Sequence, residues 1–399
     1  MINTTNADKV LQSVYLDVVG KQINTTTSPF YNMIETGVEG IVGKEFFTNT
    51  RLGISSGIGC SSDESSLPES GSPIFYTFKA PLINIYGNVE ITDKALRATS
   101  GNPGQAVDLL NTEMENLIRA AKYNFDRMLY QDGNGRLCQF VENSGASMSS
   151  SASIVYVNST KNLIEGMMVD TYKNTAKTNA TPNRITAIDR TTGMVKLDGS
   201  VGDLTVGNQL VMQGAFRNEM YGLQYLFATS QEINTIYGNL RSQLATILPA
   251  TTQISEVNGN ALQEIIDAVE ERSASRINLI LASYDMRRKY LAALREMSIN
   301  VDYTTLDGGF KSLSYNGVPV YAARFAPDNT MYFVNTDDFK LGQLADWTWI
   351  ESANGKVLRQ LENKAAYGAT LVKYANLICK RPMGQAKAVY VEPEESDDH

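Results

Sequence analysis

Residues 102–135 read NPGQAVDLLNTEMENLIRAAKYNFDRMLYQDGNG. Asn102 is a capping residue, and Pro103 suits the first helical position, where its missing N–H costs nothing. Leu109, Leu110, Met114, Leu117, Ile118, Ala121, Phe125, Met128 and Leu129 follow at a spacing that keeps one apolar stripe on one helix face. Asp108, Glu113 and Glu115 come early, and Arg119, Lys122 and Arg127 come late, an order that complements the helix macrodipole. Gln131-Asp132-Gly133-Asn134-Gly135 ends the run. The pattern predicts one long helix over about 103–131.

Upstream, the chain reaches outward. Residues 1–40 are rich in Asn and Thr, with Val10, Leu11, Val14, Tyr15, Val18 and Val19 at helical spacing; the rest reads as an extended arm. Lys44 to Arg51 reads as a strand, Gly53 to Ser72 (GISSGIGCSSDESSLPESGS) as a Gly/Ser-rich tip, and Ile74 to Ile91 as one returning strand. Together they predict a long hairpin whose tip is too long to be a simple turn in a compact domain.

Downstream, residues 137–216 change to Ser, Thr, Asn and Gly and lose helical periodicity. Strands are expected at Ser153–Val157, Met167–Tyr172, Arg184–Ile188, Met194–Leu197 and Gln209–Met212, with a turn at 189–193. Short strands at close spacing suggest a small inserted β-barrel or sandwich. Residues 217–350 are mixed. They read as a helix at Ala261–Arg272, a strand at Ile277–Ala282, a helix at Ser283–Met297 with Tyr290, Leu291 and Leu294 inward, and strands at Val318–Ala322 and Thr330–Val334. Strands around Tyr367–Cys379 follow, and EPEESDDH forms an acidic, disordered tail.

The 399 residues carry a net charge of −8 with 43% apolar and 20% charged residues. That is a globular composition with ample core material. An acidic chain gains little from counterion release on a polyanion, which argues against primary nucleic-acid binding. Cys60, Cys138 and Cys379 are far apart and odd in number, which excludes a zinc framework, argues against a disulfide scaffold and fits a reducing cytosol. The N-terminus has no basic-then-apolar signal pattern, so no leader is expected and the sequons at Asn3, Asn24, Asn158 and Asn179 carry no meaning. No apolar run approaches the roughly 20 residues of a membrane span.

Catalytic equipment is sparse. The single histidine is His399, the last residue, which builds no triad, general base or metal site. The Gly-Lys pairs at 20–21, 43–44 and 355–356 lack the glycine and Ser/Thr of a phosphate loop, and GISSGIG at 53–59 does not open a helix. Glu270-Glu271 reads as a solvated helix face, and Glu394-Glu395 lies in the tail. Asp337-Asp338, on a loop after a strand, is the only pair placed to hold a cation or act as acid and base, though a capping or turn role fits better. Arg287-Arg288-Lys289 could touch phosphates or a partner's acids, but an exposed helix face is at least as good a reading. Trp347 and Trp349 share one strand face and suit core packing better than an interface anchor. No catalytic, cofactor-binding or metal residue is assigned, and the expectation is a structural, self-assembling protein rather than an enzyme. The arm, the hairpin and the inserted unit bury little in one chain and make sense against neighbours.

The order of these parts resembles the major capsid protein of tailed bacteriophages, the Hong Kong 97-like fold, over essentially the whole chain. Ala106–Gly135 looks like that family's spine helix and exit turn. Ala261–Met297 (ALQEIIDAVEERSASRINLILASYDMRRKYLAALREM) is similar to its axial-domain core. Gly317–Leu344 (GVPVYAARFAPDNTMYFVNTDDFKLGQL) resembles its late segment, and Tyr367–Cys379 its peripheral return. The resemblance implies an α+β fold: arm 1–43, hairpin loop 44–95, peripheral domain with spine helix 96–136, inserted β domain 137–216, peripheral connection 217–240, axial domain 241–350, and return strands with acidic tail 351–399. The loop Asn300–Phe310 is expected to reach the capsomer centre. The resemblance further implies pentamers and hexamers closing into an icosahedral shell around double-stranded DNA, assembled in a host bacterial cytoplasm, with no membrane and no cofactor. A portal is an implied partner, and a decoration protein is compatible. The family prototype carries a long N-terminal scaffolding segment for which the sequence shows no room, so a separate scaffolding protein is expected. The prototype's cross-link is not carried over, because Lys79 on the hairpin has no matching partner. A virus-derived compartment shell of the same fold is the nearest alternative. A tail or adhesin protein, or a metal enzyme using Asp337-Asp338, is further away.

Overall fold

A computed structural model describes residues 28–52, 57–60, 62, 63, 69, 71, 73–94, 103–142, 153–203, 205–296, 303–306, 310–351 and 357–393. The expected helix at 10–19 and the acidic tail from 394 lie outside them. Among the described residues, no helix is long and apolar enough to cross a membrane. The chain divides into two compact units, Met1–Asp126 with Leu226–His399, and Arg127–Tyr225.

The long helix is Pro103–Tyr130, about 42 Å at 1.5 Å per residue. Met114, Ile118, Phe125, Met128 and Leu129 are buried, as the stripe requires. In the first unit, a five-stranded sheet gathers segments from distant parts of the chain. Glu35–Gly37 runs parallel to Phe339–Trp349, which pairs antiparallel with Ala366–Cys379. Ile83–Thr92 and the short Arg359–Gln360 also pair with Ala366–Cys379. Ile85, Val89 and Ile91 are buried while Asn84, Tyr86, Asn88 and Glu90 are exposed, the alternation of a strand with one covered face. Gly87 lies where the helix approaches closest: a Cβ there would stand 2.8 Å from Leu117 Cδ1.

The expected single strand Ile74–Ile91 is two strands, Ile74–Pro81 and Ile83–Thr92. Pro81 has no N–H to continue the ladder. The chain steps at Leu82, whose N–H donates to Lys44 O at 2.8 Å, and changes sheets. Only the first of the two pairs with Glu45–Leu52.

A fully buried lysine sits in the five-stranded sheet. Lys373 Nζ donates to Asp346 Oδ1 (2.6 Å) and Gln343 Oε1 (2.9 Å). It also lies 5.1 Å from the ring centre of Phe125, 5.7 Å from Trp347 and 5.9 Å from Tyr31. The aromatic faces and the carboxylate offset part of the desolvation cost.

The second sheet of this unit has seven strands in the spatial order Ala250–Ile254, Ala386–Tyr390, Thr330–Val334, Leu279–Ala282, Val318–Ala322, Phe310–Tyr315, Tyr303–Leu306. Leu279–Ala282 is central and buried throughout, so it reads as a continuous apolar run. Helix Gly259–Ser273 starts where Asn258 Oδ1 accepts from Ala261 N (2.9 Å) and ends at Ala274 in the left-handed region. Leu262, Ile265, Ile266 and Val269 pack in one core with Met286 and Tyr290 of helix Tyr284–Glu296, with Leu291 and Leu294 at its margin. Two boundaries differ from expectation. Phe339–Trp349, placed with 241–350, belongs to the five-stranded sheet, and Ala386–Tyr390, placed with the return strands 351–399, belongs to the seven-stranded one. The 3-10 turn Pro382–Gly384 redirects the chain after Cys379, and local pattern carries no signal for which sheet the next strand joins.

The second unit, Arg127–Tyr225, holds antiparallel strands at Arg136–Gln139, Ile154–Tyr156, Met168–Lys173, Ala176–Lys177, Asn183–Asp189, Met194–Leu197 and Gln209–Met212. Five match the expected strands to within two residues; Arg136–Gln139 and Ala176–Lys177 are additional. The path runs from 136–139 through 209–212, 168–173, 183–189 and 194–197 to 154–156, and its two ends meet at a Phe140–Val157 bridge. Leu137, Phe140, Val155, Val169, Ile185, Val195 and Leu210 fill its interior. In the turn, Asp189 Oδ1 accepts from Thr191 N at 2.9 Å and Gly193 takes φ 72°. At the helix end, Arg127 and Glu219 are both fully buried and paired through Nη1 (2.9 Å) and Nη2 of the guanidinium.

Two measurements check these buried charges. Glu219→Gln strands the Arg127 charge and is expected to cost about 3–5 kcal/mol in urea unfolding, whereas Arg127→Met with Glu219→Leu costs far less. Burial holds the Lys373 ammonium below its ordinary range, with Asp346 pulling the other way. The folded state therefore binds fewer protons than the unfolded one above the folded-state value. Stability should rise as pH climbs through that value toward 10.5, and Asp346→Asn should steepen the rise in a pH series of unfolding midpoints.

Candidate assembly surface

The hairpin is built from Glu45–Leu52 (EFFTNTRL) and Ile74–Pro81 (IFYTFKAP), rich in the aromatic and β-branched residues that favour extended chain. Its register runs from Glu45 opposite Pro81 to Leu52 opposite Ile74. The inner half is anchored. Phe46 and Phe78 are fully buried. The Phe46 ring lies on Gly342 so closely that a Cβ at that position would be 2.5 Å from Cγ. Phe78 packs 5.4 Å from the Tyr237 ring. Lys79 N donates to Tyr237 O (3.0 Å), Asn376 Nδ2 to Pro81 O (2.6 Å) and Thr50 Oγ1 to Lys380 O (2.7 Å).

Among the described residues, the far end of the hairpin beyond Thr50 lacks such cover. Arg51, Ile74, Phe75 and Thr77 are exposed, with Ile74 at 59% and Phe75 at 62%. Farther out, Ile58 is 87% exposed. Burying an isoleucine or phenylalanine is worth about 1.5–3 kcal/mol each, which the single chain leaves unrealised. The turn leading into the hairpin adds exposed Val38 and Val42. It is held by Glu35, which pairs with Lys340 (2.9 Å) and Lys380 (2.7 Å). Hydrogen bonds from Lys380 and then Lys340 keep the Glu35 carboxyl below its usual range.

The residues singled out from sequence fall in separate places. Asp337 and Asp338 form the 3-10 turn Thr336–Asp338, where Asp337 N donates to Asn335 Oδ1. Asp338 Oδ2 accepts from Ser275 Oγ (2.8 Å) and Gln385 Nε2 (3.1 Å), and burial raises its pKa. The pair thus serves a turn and an inter-segment hydrogen-bond network. Among the described residues, no three His, Cys, Asp or Glu side chains gather to hold a metal. On helix Tyr284–Glu296, Arg287 lies over Tyr284 (5.5 Å) and Lys289 over Tyr390 (3.6 Å), while Arg288 is exposed. Trp347 and Trp349 are buried, and Trp347 meets Phe125 edge-on, so both belong to the core. Lys79 is exposed and covers Gly238. Within 300–310, Tyr303–Leu306 pairs with Phe310–Tyr315; the remainder lies outside the described residues, as do His399 and Glu394-Glu395.

Sequence reasoning missed the seat of the hairpin, Gly342, Tyr237 and Asn376, and the buried Lys373 with its partner Asp346. A lone lysine inside the apolar run TLVKYANLIC, 370–379, is the one signal that marks a buried charge needing a partner. Nothing local marks Gly342 as a contact point for a phenylalanine almost three hundred residues earlier.

No protein-family model matches the sequence, and no curated protein matches it. Solved structures do. The capsid asymmetric unit of cyanophage A-1(L) matches with a TM-score of 0.53 at 11% identity, over 94% of each chain. The chain has the Hong Kong 97-like capsid fold. Mycobacterium phage Bobi (TM-score 0.45, 10% identity, 98% of this chain and 100% of that one) is also similar. So is the holo-SrpI encapsulin complex from Synechococcus elongatus PCC 7942 (TM-score 0.43, 10% identity, 91% and 88%). In this capsid fold, the hairpin is an extension whose base, and not its outer half, is fixed by its own chain.

Gly342→Val should unseat Phe46. Limited proteolysis is then expected to cut within 45–52 at least tenfold faster than in the unmodified chain, with the core strand 279–282 still protected.

Proposed function

We propose that this chain is the major capsid protein of a tailed bacteriophage, assembling as pentamers and hexamers into an icosahedral shell that encloses double-stranded DNA. The observation that carries the reading is the hairpin. Its base is anchored by Phe46, Phe78, Thr50 and Asn376, while Ile74 and Phe75 project uncovered. A strand pair held at one end and apolar at the other is built to bury surface on a second copy.

In this reading the region 241–350 supplies most of an axial domain around capsomer axes, and the segment 300–310 is assigned to the capsomer centre. The region 137–216 is an inserted β-barrel; the closed strand path supports it. The DNA is contained by enclosure, consistent with a net charge of −8. A separate scaffolding protein, a portal and a decoration protein are the proposed partners. The location is the virion, with assembly in the host bacterial cytoplasm. No catalytic residue is assigned.

The test is expression of the chain alone and with its neighbouring gene, followed by electron microscopy and sedimentation. Closed shells or capsomers are expected, and nuclease-protected DNA inside infectious particles separates this reading from a shell that packages enzymes. A protein that stays monomeric under all conditions contradicts it. Ile74→Ser with Phe75→Ser should leave the unfolding free energy within about 0.5 kcal/mol, as for exposed sites, yet lower shell yield at least tenfold.

A further inference from the structure

The unit Arg127–Tyr225 contains a surface cleft of about 260 Å³. Asn134 and Arg136 form one wall, the turn residues Asn174 and Thr175 another, and Phe216 and Arg217 a third, with Gln209 between them. Backbone ties bring these segments together. Arg217 N donates to Asn134 O (3.1 Å), and Gly135 lies so close to Ala215 that a Cβ there would stand 2.4 Å from the Ala215 carbonyl oxygen. Gln209, opposite Tyr172 in the ladder, donates through Nε2 to Asn174 O (3.3 Å).

Arg217 is held against its backbone preference, at φ 58°, in the left-handed region that a β-carbon disfavours. Its guanidinium lies 5.3 Å from the centre of the Phe216 ring, and that ring stacks on Tyr172 at 4.2 Å. Among the described residues, no carboxylate pairs with Arg217. The carboxylate of Asp132 stands 3.9 Å from Arg136 and already accepts from Asn134 N (2.9 Å) and Nδ2 (3.0 Å). The two arginines therefore keep N–H groups for an outside oxyanion, which a guanidinium fork grips in a fixed plane. The cleft also offers acceptors. The amide nitrogens of Asn134 and Gln209 are engaged within the protein, which leaves their carbonyl oxygens, and Thr175 adds a hydroxyl. A bare oxyanion satisfies the arginines and gives those oxygens nothing. A ligand with one negative group and neighbouring hydroxyls satisfies both.

We propose that this cleft binds an anionic sugar, a pyranose unit carrying a carboxylate or a phosphate. Arg136 and Arg217 take the charged group, and the carbonyl oxygens of Asn134 and Gln209 accept from the hydroxyls. Asn174 and Thr175 line the rim and supply further polar contacts. The cleft is smaller than the pockets that enclose drug-sized ligands, which suits a single sugar unit. The inference goes beyond the shell-forming reading and does not depend on it.

Titration of the full-length protein with glucuronate, galacturonate, glucose 6-phosphate, glucose and inorganic phosphate, followed by ligand-observed NMR, tests it. At least one of the three anionic sugars should bind about tenfold more tightly than both glucose and inorganic phosphate. Binding by a uronate identifies a carboxylate as the charged group, and binding by glucose 6-phosphate identifies a phosphate. Arg217→Gly suits the positive φ and removes the guanidinium, so it should weaken that binding about tenfold without lowering the unfolding midpoint. Asn174→Gly, at φ 54°, keeps the turn in the same way and should also weaken binding. No binding of any anionic sugar, inorganic phosphate binding as tightly as the best of them, or affinity unchanged by Arg217→Gly would each overturn the site.

Discussion

The long helix can bury its apolar stripe only against a sheet whose strands come from opposite ends of the sequence. Segments 35–37, 83–92, 339–349 and 366–379 meet in the sheet on which Leu117 and Phe125 pack. Other features of the first unit follow from that requirement. Gly87 is bare because Leu117 presses on it, and Lys373 is enclosed with Phe125, Trp347 and Tyr31 around its ammonium. Such non-local pairing makes folding slow and ties the N-terminal segment to the C-terminal strands.

The same sheet positions the hairpin. Gly342 offers a flat spot for Phe46, and Asn376 and Lys380 hold Pro81 and Thr50 through their backbone oxygens and side chains. These anchors stop at Thr50. Beyond them the two strands continue with Ile74 and Phe75 exposed, so the described residues leave the far end of the hairpin unpacked. The proposed shell-forming role would give this incompleteness a purpose, since a shell subunit needs surface that a neighbour finishes.

Much of this was legible in the sequence because local pattern carries it. The helix 103–130, the helices after Asn258 and Ser283, and the strands 194–197, 209–212, 318–322 and 330–334 are set by periodicity, caps and turn residues, which act over a few positions. The partition of strands between sheets was not. Ile74–Ile91 reads as one apolar run until Pro81 interrupts its ladder, and Ala386–Tyr390 joins 330–334 by pairing across more than fifty residues. Of the assembly surface, the sequence shows the hairpin's reach but not its seat, because Gly342 and Tyr237 acquire meaning only in three dimensions. The chemistry-like pair Asp337-Asp338 turned out to serve a turn, as capping residues after strands commonly do.

The central claim is that the outer hairpin completes its packing on a second copy of the chain. Amide hydrogen exchange in dissociated subunits and in assembled particles measures this directly. The account predicts that residues 74–77 gain at least tenfold protection on assembly while the central strand 279–282 is unchanged. Equal exchange of 74–77 in both states would contradict it.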